Sequence, residues 1–326
     1  MALRGRRTGP AGAVPAGWSP GHRVAWYAAS ERPLRALVAG RRRPGTPPVV
    51  LVPGLGCVRS MVEALHATGA WTRGTLLDLP GAGHDGPDAC APTVAAVADT
   101  LATWLAQRSA PVVLAGHSTG AQAALRAAVA VPAAVAALVL AGPTFAPRDR
   151  RPDRLVRDVL RTAWHEPKSS LLMALPDYRR AGVRGLARYV LSGLRDRPEE
   201  FIGRVDCPVL VARGRHDRLA PTGWIRALAQ AAPDGHAVTV PGAHAFPWEH
   251  PGRFAQLLAD AAARAAQAGA RRPGVPVGDA GGARAPGRGG DAGRAAEHLH
   301  ARQEASRDRD APTSGGPGPG GSAAPG

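Results

Sequence analysis

Pro111-Val-Val-Leu-Ala-Gly-His-Ser-Thr-Gly-Ala121 is the stretch of this sequence that decides the fold. A short apolar run ends here in a Gly-x-Ser-x-Gly sequence, and an Ala- and Leu-rich helical pattern follows at once, up to Ala130. The glycines two positions before and after Ser118 leave room for a turn so sharp that the serine is held in a strained backbone conformation. We therefore predict a strand, a tight turn that carries an exposed serine hydroxyl, and a helix.

Further apolar runs alternate with helical patterns on both sides of this stretch. Two runs at the start, 22–28 and 34–39, are typical of an antiparallel pair. Of the later runs, 48–52 is continuous, as in a strand that is buried on both faces. Further strands are predicted over 74–79, 135–140, 207–212 and 236–240. Strands that alternate with helices in this way predict an α/β fold with a doubly wound, mostly parallel sheet, whose functional residues lie at the carboxyl ends of the strands.

The composition divides the chain into a core, an insertion and two tails. Residues 21–143 and 202–268 carry the strand pattern and are predicted to form the core. Between them, residues 144–201 have only helical patterns, which prolines break into several short helices, and we predict a helical lid over the strand ends. Residues 1–20 and 269–326 are rich in Arg, Gly, Pro and Ala, and this composition predicts disorder.

The net charge of +16 comes largely from arginine, since Lys168 is the only lysine. Residues 1–43 alone hold nine arginines, and no basic motif interleaved with aromatic residues accompanies the charge, so we expect no nucleic-acid partner. The three cysteines show neither a disulfide framework nor metal spacing, which favours a reducing, cytoplasmic location. No signal peptide and no apolar run long enough to span a membrane is recognisable.

A serine hydroxyl becomes a nucleophile when a base accepts its proton and a carboxylate orients that base. Asp217 follows the predicted strand 207–212, and His244 follows the strand 236–240. His250 is a second, weaker candidate for the base. The other polar residues near predicted strand ends are interpreted as structural or solvated, and they are Cys57, His84, Asp85, Asp88, His117 and His216.

The chain order Ser118, Asp217, His244 resembles that of the alpha/beta-hydrolase superfamily, in its lid-bearing branch, over residues 22–268. Residues 116–120 match the nucleophile turn of that family, 209–217 its acid strand, 241–244 its histidine loop, and 78–83 its D-x-P-G-x-G turn. The resemblance implies an oxyanion hole made by the backbone N–H groups of Thr119 and Leu55. The chain departs from the pattern before Leu55, where Pro53-Gly54 replaces a common His-Gly.

The resemblance implies a serine hydrolase that needs no metal or organic cofactor and acts on a small-molecule acyl substrate, most simply a carboxylic ester. A carbon–carbon bond hydrolase of ring-cleavage products is an alternative, for which Arg179, Arg180 and Arg184 could pair with a substrate carboxylate. A thioesterase and a cofactor-free perhydrolase are further alternatives, the latter because Ser118-Thr119-Gly120 is similar to its nucleophile turn. A catalytically silent small-molecule receptor is the alternative that is not an enzyme.

Overall fold

A sheet of eight strands runs through the structure, a computed structural model that describes residues 21–28 and 32–271. Its spatial order is β1-β2-β4-β3-β5-β6-β7-β8. Strands β3 to β8 are parallel to one another, and β1 and β2 join the sheet by antiparallel pairing. The predicted mostly parallel sheet is therefore confirmed. The strands are β1 His22–Ala28, β2 Pro33–Ala39, β3 Val49–Val52, β4 Gly74–Leu77, β5 Val112–His117, β6 Val135–Ala141, β7 Val209–Gly214 and β8 Gly235–Val240.

Helices cover both faces of the sheet, and each face has its own hydrophobic cluster. Helices α2, α3 and α7 contribute to one cluster, and α1 and α9 to the other. Every residue of β3, β4 and β5 is buried, which explains why these strands are continuous apolar runs. The helices are α1 Val62–Gly69, α2 Val94–Ala106, α3 Thr119–Ala130, α4 Pro152–Ala163, α5 Lys168–Arg195, α6 Pro198–Phe201, α7 Thr222–Ala231, α8 Phe246–Glu249 and α9 Pro251–Arg271.

The strand order reverses between β3 and β5. From β3 the chain first moves to one side, to β4, and then crosses back to place β5 on the other side of β3. At such a switch point the loops after the two strands diverge and leave a crevice, which is where open α/β sheets bind their ligands. The loop after β3 contains Leu55, and the turn after β5 contains Ser118.

The helical insertion lies between β6 and β7, but it differs from the expected set of short helices. Helix α5 runs for 28 residues, passes through Pro176 and is kinked only at Gly182, where φ is 66°. Pro176 is exposed, so the carbonyl group that loses its helical hydrogen bond can face water. The prolines at 152, 167 and 198 instead lie at helix starts, where a missing N–H has no cost.

Two further expectations concern the ends of the chain. Helix α9 continues to Arg271, three residues beyond the predicted end of the core at 268. The segment 1–20 and residues 272–326 of the predicted tail lie outside the described residues. In the part of the chain that is described, no helix combines the length and the apolar character needed to cross a membrane.

Candidate active site

Ser118 occupies the strained turn between β5 and α3. Its backbone has φ 57° and ψ −124°, a conformation that non-glycine residues rarely adopt. A Cβ atom on Gly116 would lie 2.2 Å from the carbonyl oxygen of Gly120, so the strand and the helix can come this close only without a side chain there. The Ser118 N–H donates to the Ala141 carbonyl of β6 at 2.9 Å, which ties the turn to the neighbouring strand.

Asp217 is fully buried in the loop after β7. Its Oδ1 accepts the N–H groups of Leu219 and Ala220 at 2.9 and 3.1 Å, and its Oδ2 lies 2.9 Å from Nδ1 of His244. Burial raises the pKa of Asp217, but the charge and hydrogen bond of His244, the Ala220 N–H and the Arg213 guanidinium outweigh burial and hold it below its ordinary value. The carboxylate therefore stays charged beside the imidazole.

His244 lies in the loop after β8. Its Nδ1–H donates to Asp217, which leaves Nε2 as the ring nitrogen free to act as a base. Burial lowers the pKa of His244, but the charge of Asp217, the hydrogen bond to it and the charge of Glu166 together raise it above its ordinary value. The pair is packed against bare backbone, since a Cβ on Gly142 would lie 3.1 Å from Oδ2 of Asp217 and from Nδ1 of His244.

One cavity of about 420 Å³ contains both Ser118 and His244 in its wall. His117 and His244 are the histidines of the described chain that line it, whereas His84, His216 and His250 do not. Most of the remaining wall is apolar and comes from the insertion and from the loops after β3 and β6, including Leu55, Phe145, Leu155, Val159, Leu171, Met173, Ala174 and Val190. The structure thus brings the predicted serine and histidine to one apolar cavity, with Asp217 buried behind the histidine.

The two expected oxyanion donors also meet at this cavity, although one of them is engaged. Leu55 has φ 48° and donates its N–H to the hydroxyl Oγ1 of Thr119 at 2.9 Å. The Thr119 N–H is the first of helix α3 and has no carbonyl partner within the helix. Gly54 is required here, because a Cβ on it would lie 2.6 Å from Cβ of Ser118. The loop with Pro53-Gly54 therefore packs directly on the serine turn.

Residues 49–257 match the sequence model of the alpha/beta hydrolase family, which is more than half of the chain. The chain belongs to the alpha/beta hydrolase family. A search of curated protein sequences found no match for it.

Solved structures similar to this alpha/beta hydrolase share its fold at low sequence identity. One is a serine hydrolase involved in carbazole degradation (CarC), at 20% identity, a TM-score of 0.59, and coverage of 73% of this chain and 98% of the other. A thermophilic esterase from Thermogutta terrifontis has 21% identity, a TM-score of 0.56, and coverage of 73% and 97%. The thioesterase domain of the curacin biosynthetic pathway has 16% identity, a TM-score of 0.55, and coverage of 74% and 99%.

Glu166 is a residue of the candidate site of this hydrolase to which no sequence pattern points. It lies between α4 and α5, lines the cavity, and accepts the Ala245 N–H on Oε1 at 2.7 Å. Burial raises the pKa of Glu166, while the Ala245 N–H and His244 lower it. Its sequence surroundings, His165-Glu166-Pro167, match no strand end and no motif, so only the fold brings it beside His244.

His117 is expected from the sequence to be a packed residue of the turn, and in the structure it contacts His244. Its Nε2–H donates to the carbonyl oxygen of His244 at 2.9 Å, and the two rings lie 4.8 Å apart. Burial, followed by the nearby His244, lowers the pKa of His117 to about 3, so this imidazole stays neutral. The hydrogen bond connects the serine turn to the histidine loop of the hydrolase.

The other residues considered from the sequence lie away from the catalytic geometry. His84 bonds to the buried carboxylate of Asp78, and His216 stacks on His165. Cys57 lines the cavity, but burial raises the pKa of its thiol to about 12, so it carries little thiolate. The three arginines considered for a carbon–carbon hydrolase, Arg179, Arg180 and Arg184, do not line the cavity.

The insertion is fastened to the loops that carry the site. Asp177 of α5 is buried and accepts both the backbone N–H and the Nε–H of Arg59 at 3.0 Å, in the 3-10 turn that follows the Leu55 loop. Gln122 of α3 donates to the Gly193 carbonyl at 2.9 Å. The insertion therefore contacts the loop after β3, the helix after the serine turn and, through Glu166, the histidine loop.

Proposed function

We propose that this protein is a serine hydrolase that cleaves a carboxylic ester of a small, largely apolar molecule through an acyl-enzyme. One observation carries the proposal: a buried Asp217–His244 pair lies in the wall of the same cavity as Ser118, and Ser118 has a strained backbone. Buried and strained groups are costly, and they concentrate where chemistry requires them.

In the proposed reaction, Nε2 of His244 accepts the hydroxyl proton of Ser118 while Oγ attacks the acyl carbonyl carbon. Asp217 keeps the imidazole in the tautomer with Nδ1–H and stabilises the imidazolium that forms. The protonated Nε2 then gives its proton to the leaving alcohol. Water, activated in turn by His244, attacks the acyl-enzyme and releases the acid and the free serine.

The N–H groups of Thr119 and Leu55 are proposed to stabilise the oxyanion. The Leu55 N–H donates to the hydroxyl Oγ1 of Thr119. In one route, the substrate oxygen displaces this hydroxyl and accepts the Leu55 N–H itself. In the other route, the hydroxyl keeps its bond to the Leu55 N–H and donates its own proton to the substrate oxygen. Both routes supply two donors at the start of α3.

The cavity wall supports an ester with an apolar acyl or alcohol group. Its volume suits a small molecule, and its side chains are mostly aliphatic. Its charged side chains among the described residues include Glu166 and Lys168 but none of the three arginines expected to hold a carboxylate. The cation in this wall, Lys168, is exposed and is accompanied by the carboxylate of Glu166, so a neutral ester fits the largely apolar wall better than a negatively charged ring-cleavage product.

The experiment that tests the proposal is covalent labelling with a fluorophosphonate, followed by ester turnover. We expect the folded wild-type protein to be labelled and the Ser118→Ala variant not to be. Ser60→Ala is the matched control, because Ser60 lines the same cavity but its hydroxyl donates to the Cys57 carbonyl rather than to a histidine, and it should keep full labelling. Folded wild-type protein that resists the probe would contradict the enzyme and favour a silent receptor.

Turnover separates the hydrolase classes once labelling is established. A chain-length series of p-nitrophenyl esters is compared with an acyl-thioester, a ring-cleavage dienoate and an assay of peracid formation from an ester and hydrogen peroxide. We expect the highest kcat/KM for an ester of intermediate chain length, as the cavity is apolar but bounded. Faster turnover of the thioester or the dienoate would replace the carboxylic ester as the substrate class.

A further inference from the structure

Helix α4 is amphipathic, but polar residues face the protein and large apolar residues face solvent. Its polar residues Asp158 and Thr162 are buried, and Thr162 accepts the N–H of Arg218 on Oγ1 at 3.1 Å. Its large apolar residues Val156 and Leu160, and Trp164 directly after the helix, are each four positions from the next and are 59%, 66% and 88% exposed. Apolar residues at this spacing share one face of a helix. The face that would normally be buried is therefore turned to solvent.

The first turns of α5 repeat this arrangement. Ser170, Ala174 and Asp177 face the protein and are buried. Leu171, Leu172 and Leu175 lie on the other side of the helix and remain largely exposed. We call the six exposed side chains the insertion face: Val156, Leu160, Trp164, Leu171, Leu172 and Leu175. A soluble surface rarely groups so many large apolar side chains without a binding role.

The insertion face is continuous with the wall of the active-site cavity. Val159 of α4 and Leu171 of α5 both line that cavity while also being exposed at the surface. If an apolar phase contacts the insertion face, a molecule can pass from that phase to the cavity along apolar side chains. This continuity connects the surface to the site of chemistry rather than to an unrelated part of the fold.

Positive charge surrounds the insertion face. Residues 148–204 contain 14 basic and 8 acidic side chains. On α4, Arg161 is exposed one turn before Trp164, and Arg157 is exposed two turns before it but pairs with Asp158. On α5, Lys168 lies three positions before Leu171, and Arg179 lies four positions after Leu175. A second copy of the chain that used the same face would bring these like charges together. An anionic surface would instead be attracted to them.

We propose that the insertion face binds an anionic lipid surface, with α4 and the start of α5 lying in the plane of the headgroups. Amphipathic helices with basic residues beside aliphatic and tryptophan side chains bind membranes in this way without crossing them. The apolar side chains enter the boundary of the acyl chains, and the arginine and lysine groups contact lipid phosphates. The mouth of the cavity then opens on the lipid, from which an acyl substrate can enter.

The proposal is tested by sedimentation of the full-length protein with lipid vesicles. We expect binding to phosphatidylglycerol vesicles, weaker binding to phosphatidylcholine vesicles, and a decrease as salt screens the charges. A variant with both Leu160→Gln and Leu172→Gln should lower the partition coefficient about tenfold or more, because two aliphatic side chains no longer enter the lipid. Both positions are exposed, so the fold should be retained, and circular dichroism checks this.

The matched control combines Val24→Gln and Trp26→Gln. These residues of β1 are also large, apolar and about half exposed, but they lie outside the insertion face, so vesicle binding should be unchanged. Equal vesicle binding by the wild type and the Leu160/Leu172 variant would overturn the proposal, because the binding would then depend on basic segments elsewhere in the chain. A dimer in lipid-free solution that the same variant dissociates would also overturn it, in favour of a second copy. All these readouts are independent of catalysis.

Discussion

His244 is the residue on which two carboxylates from different elements converge. Asp217 follows β7 and bonds directly to Nδ1 of the imidazole, whereas Glu166 belongs to the insertion and acts through charge and through the adjacent Ala245 N–H. The neutral His117 ring occupies a third side, 4.8 Å away. Both carboxylates favour the imidazolium, which forms during the proposed attack and must be lost before the next cycle.

The first prediction concerns Glu166→Gln. Glutamine keeps a side-chain oxygen for the Ala245 N–H but removes the negative charge, so the pKa of His244 should fall. The imidazole acts as a base only when it is neutral, and activity therefore rises as the pH increases through its pKa. The rising limb of the kcat/KM profile should move to lower pH in the variant.

The control for this shift is Glu200→Gln, which also removes a carboxylate from the insertion. Glu200 is largely exposed, pairs with Arg197 and does not line the cavity, so the profile should stay where it is. A Glu166→Gln profile that coincides with that of the wild type would mean that Glu166 only holds the loop. An equal shift in both variants would point to the overall charge of the protein.

The sequence predicts those site residues that belong to local motifs. Ser118, Asp217 and His244 each follow a strand, and parallel strands bring such positions to one edge of the sheet. Their roles in catalysis stay predictions until they are tested by substitution. Glu166 could not be found in this way, because its position beside His244 depends on how the insertion folds back over the strand ends.

At the scale of elements, the contact of α3 with the end of β3 depends on Gly120. A Cβ at this position would lie 2.5 Å from the carbonyl oxygens of Val52 and Pro53, so the helix has no room for a side chain here. The same contact brings the Leu55 loop to the serine turn. One glycine thus fixes the distance between the two elements that meet at the switch point of the sheet.

The second prediction is that Gly120→Ala destabilises the fold by about 3 kcal/mol, because backbone atoms rather than flexible side chains would have to move. Urea unfolding followed by circular dichroism measures this change. The matched control is Gly223→Ala in α7, where no atom lies within 4 Å of the added Cβ and alanine should be neutral or stabilising. Two variants of equal stability would show that α3 can shift away from β3.

Element types were easier to predict than the extent of the helices. Buried strands such as β3, β4 and β5 are recognisable as continuous apolar runs between turn residues, and the more exposed β1 and β8 were also expected close to where they lie. Helix α5 was predicted in pieces, because Pro176 is a helix breaker by local rules. Pro176 is exposed and the neighbouring Asp177 is bonded to Arg59, so the helix continues through this proline as far as the kink at Gly182.

At the scale of the whole molecule, the described residues contain both hydrophobic clusters and the complete candidate site. The family match, 49–257, falls within them. The third prediction is that a chain of residues 21–271 hydrolyses a soluble p-nitrophenyl ester with kcat/KM within about twofold of the full-length value, since every residue proposed to act in catalysis lies within 21–271. A loss of turnover in a truncated chain that still unfolds cooperatively would assign the tails a part in catalysis.

The overall architecture could be predicted from the sequence because the pattern of strands and helices and the order of the site motifs indicate the same fold. Alternating apolar strands and helices predict a parallel sheet, and the order of the three site motifs selects one known arrangement of that sheet. The orientation of the insertion could not be predicted, since α4 turns its apolar side outward. Periodicity alone assigns such a side to the core.

The register of β6 and β7 has a consequence for how such enzymes diversify. The chain leaves the sheet after Ala141, the last residue of β6, and returns to it at Val209, the first residue of the neighbouring parallel strand β7, with the whole insertion between them. Ser118, Asp217 and His244 all lie outside that interval. A single continuous exchange of residues between these two strands could therefore replace most of the cavity wall and leave the reactive groups in place, which makes this insertion a natural unit for recombination in evolution and for grafting in design.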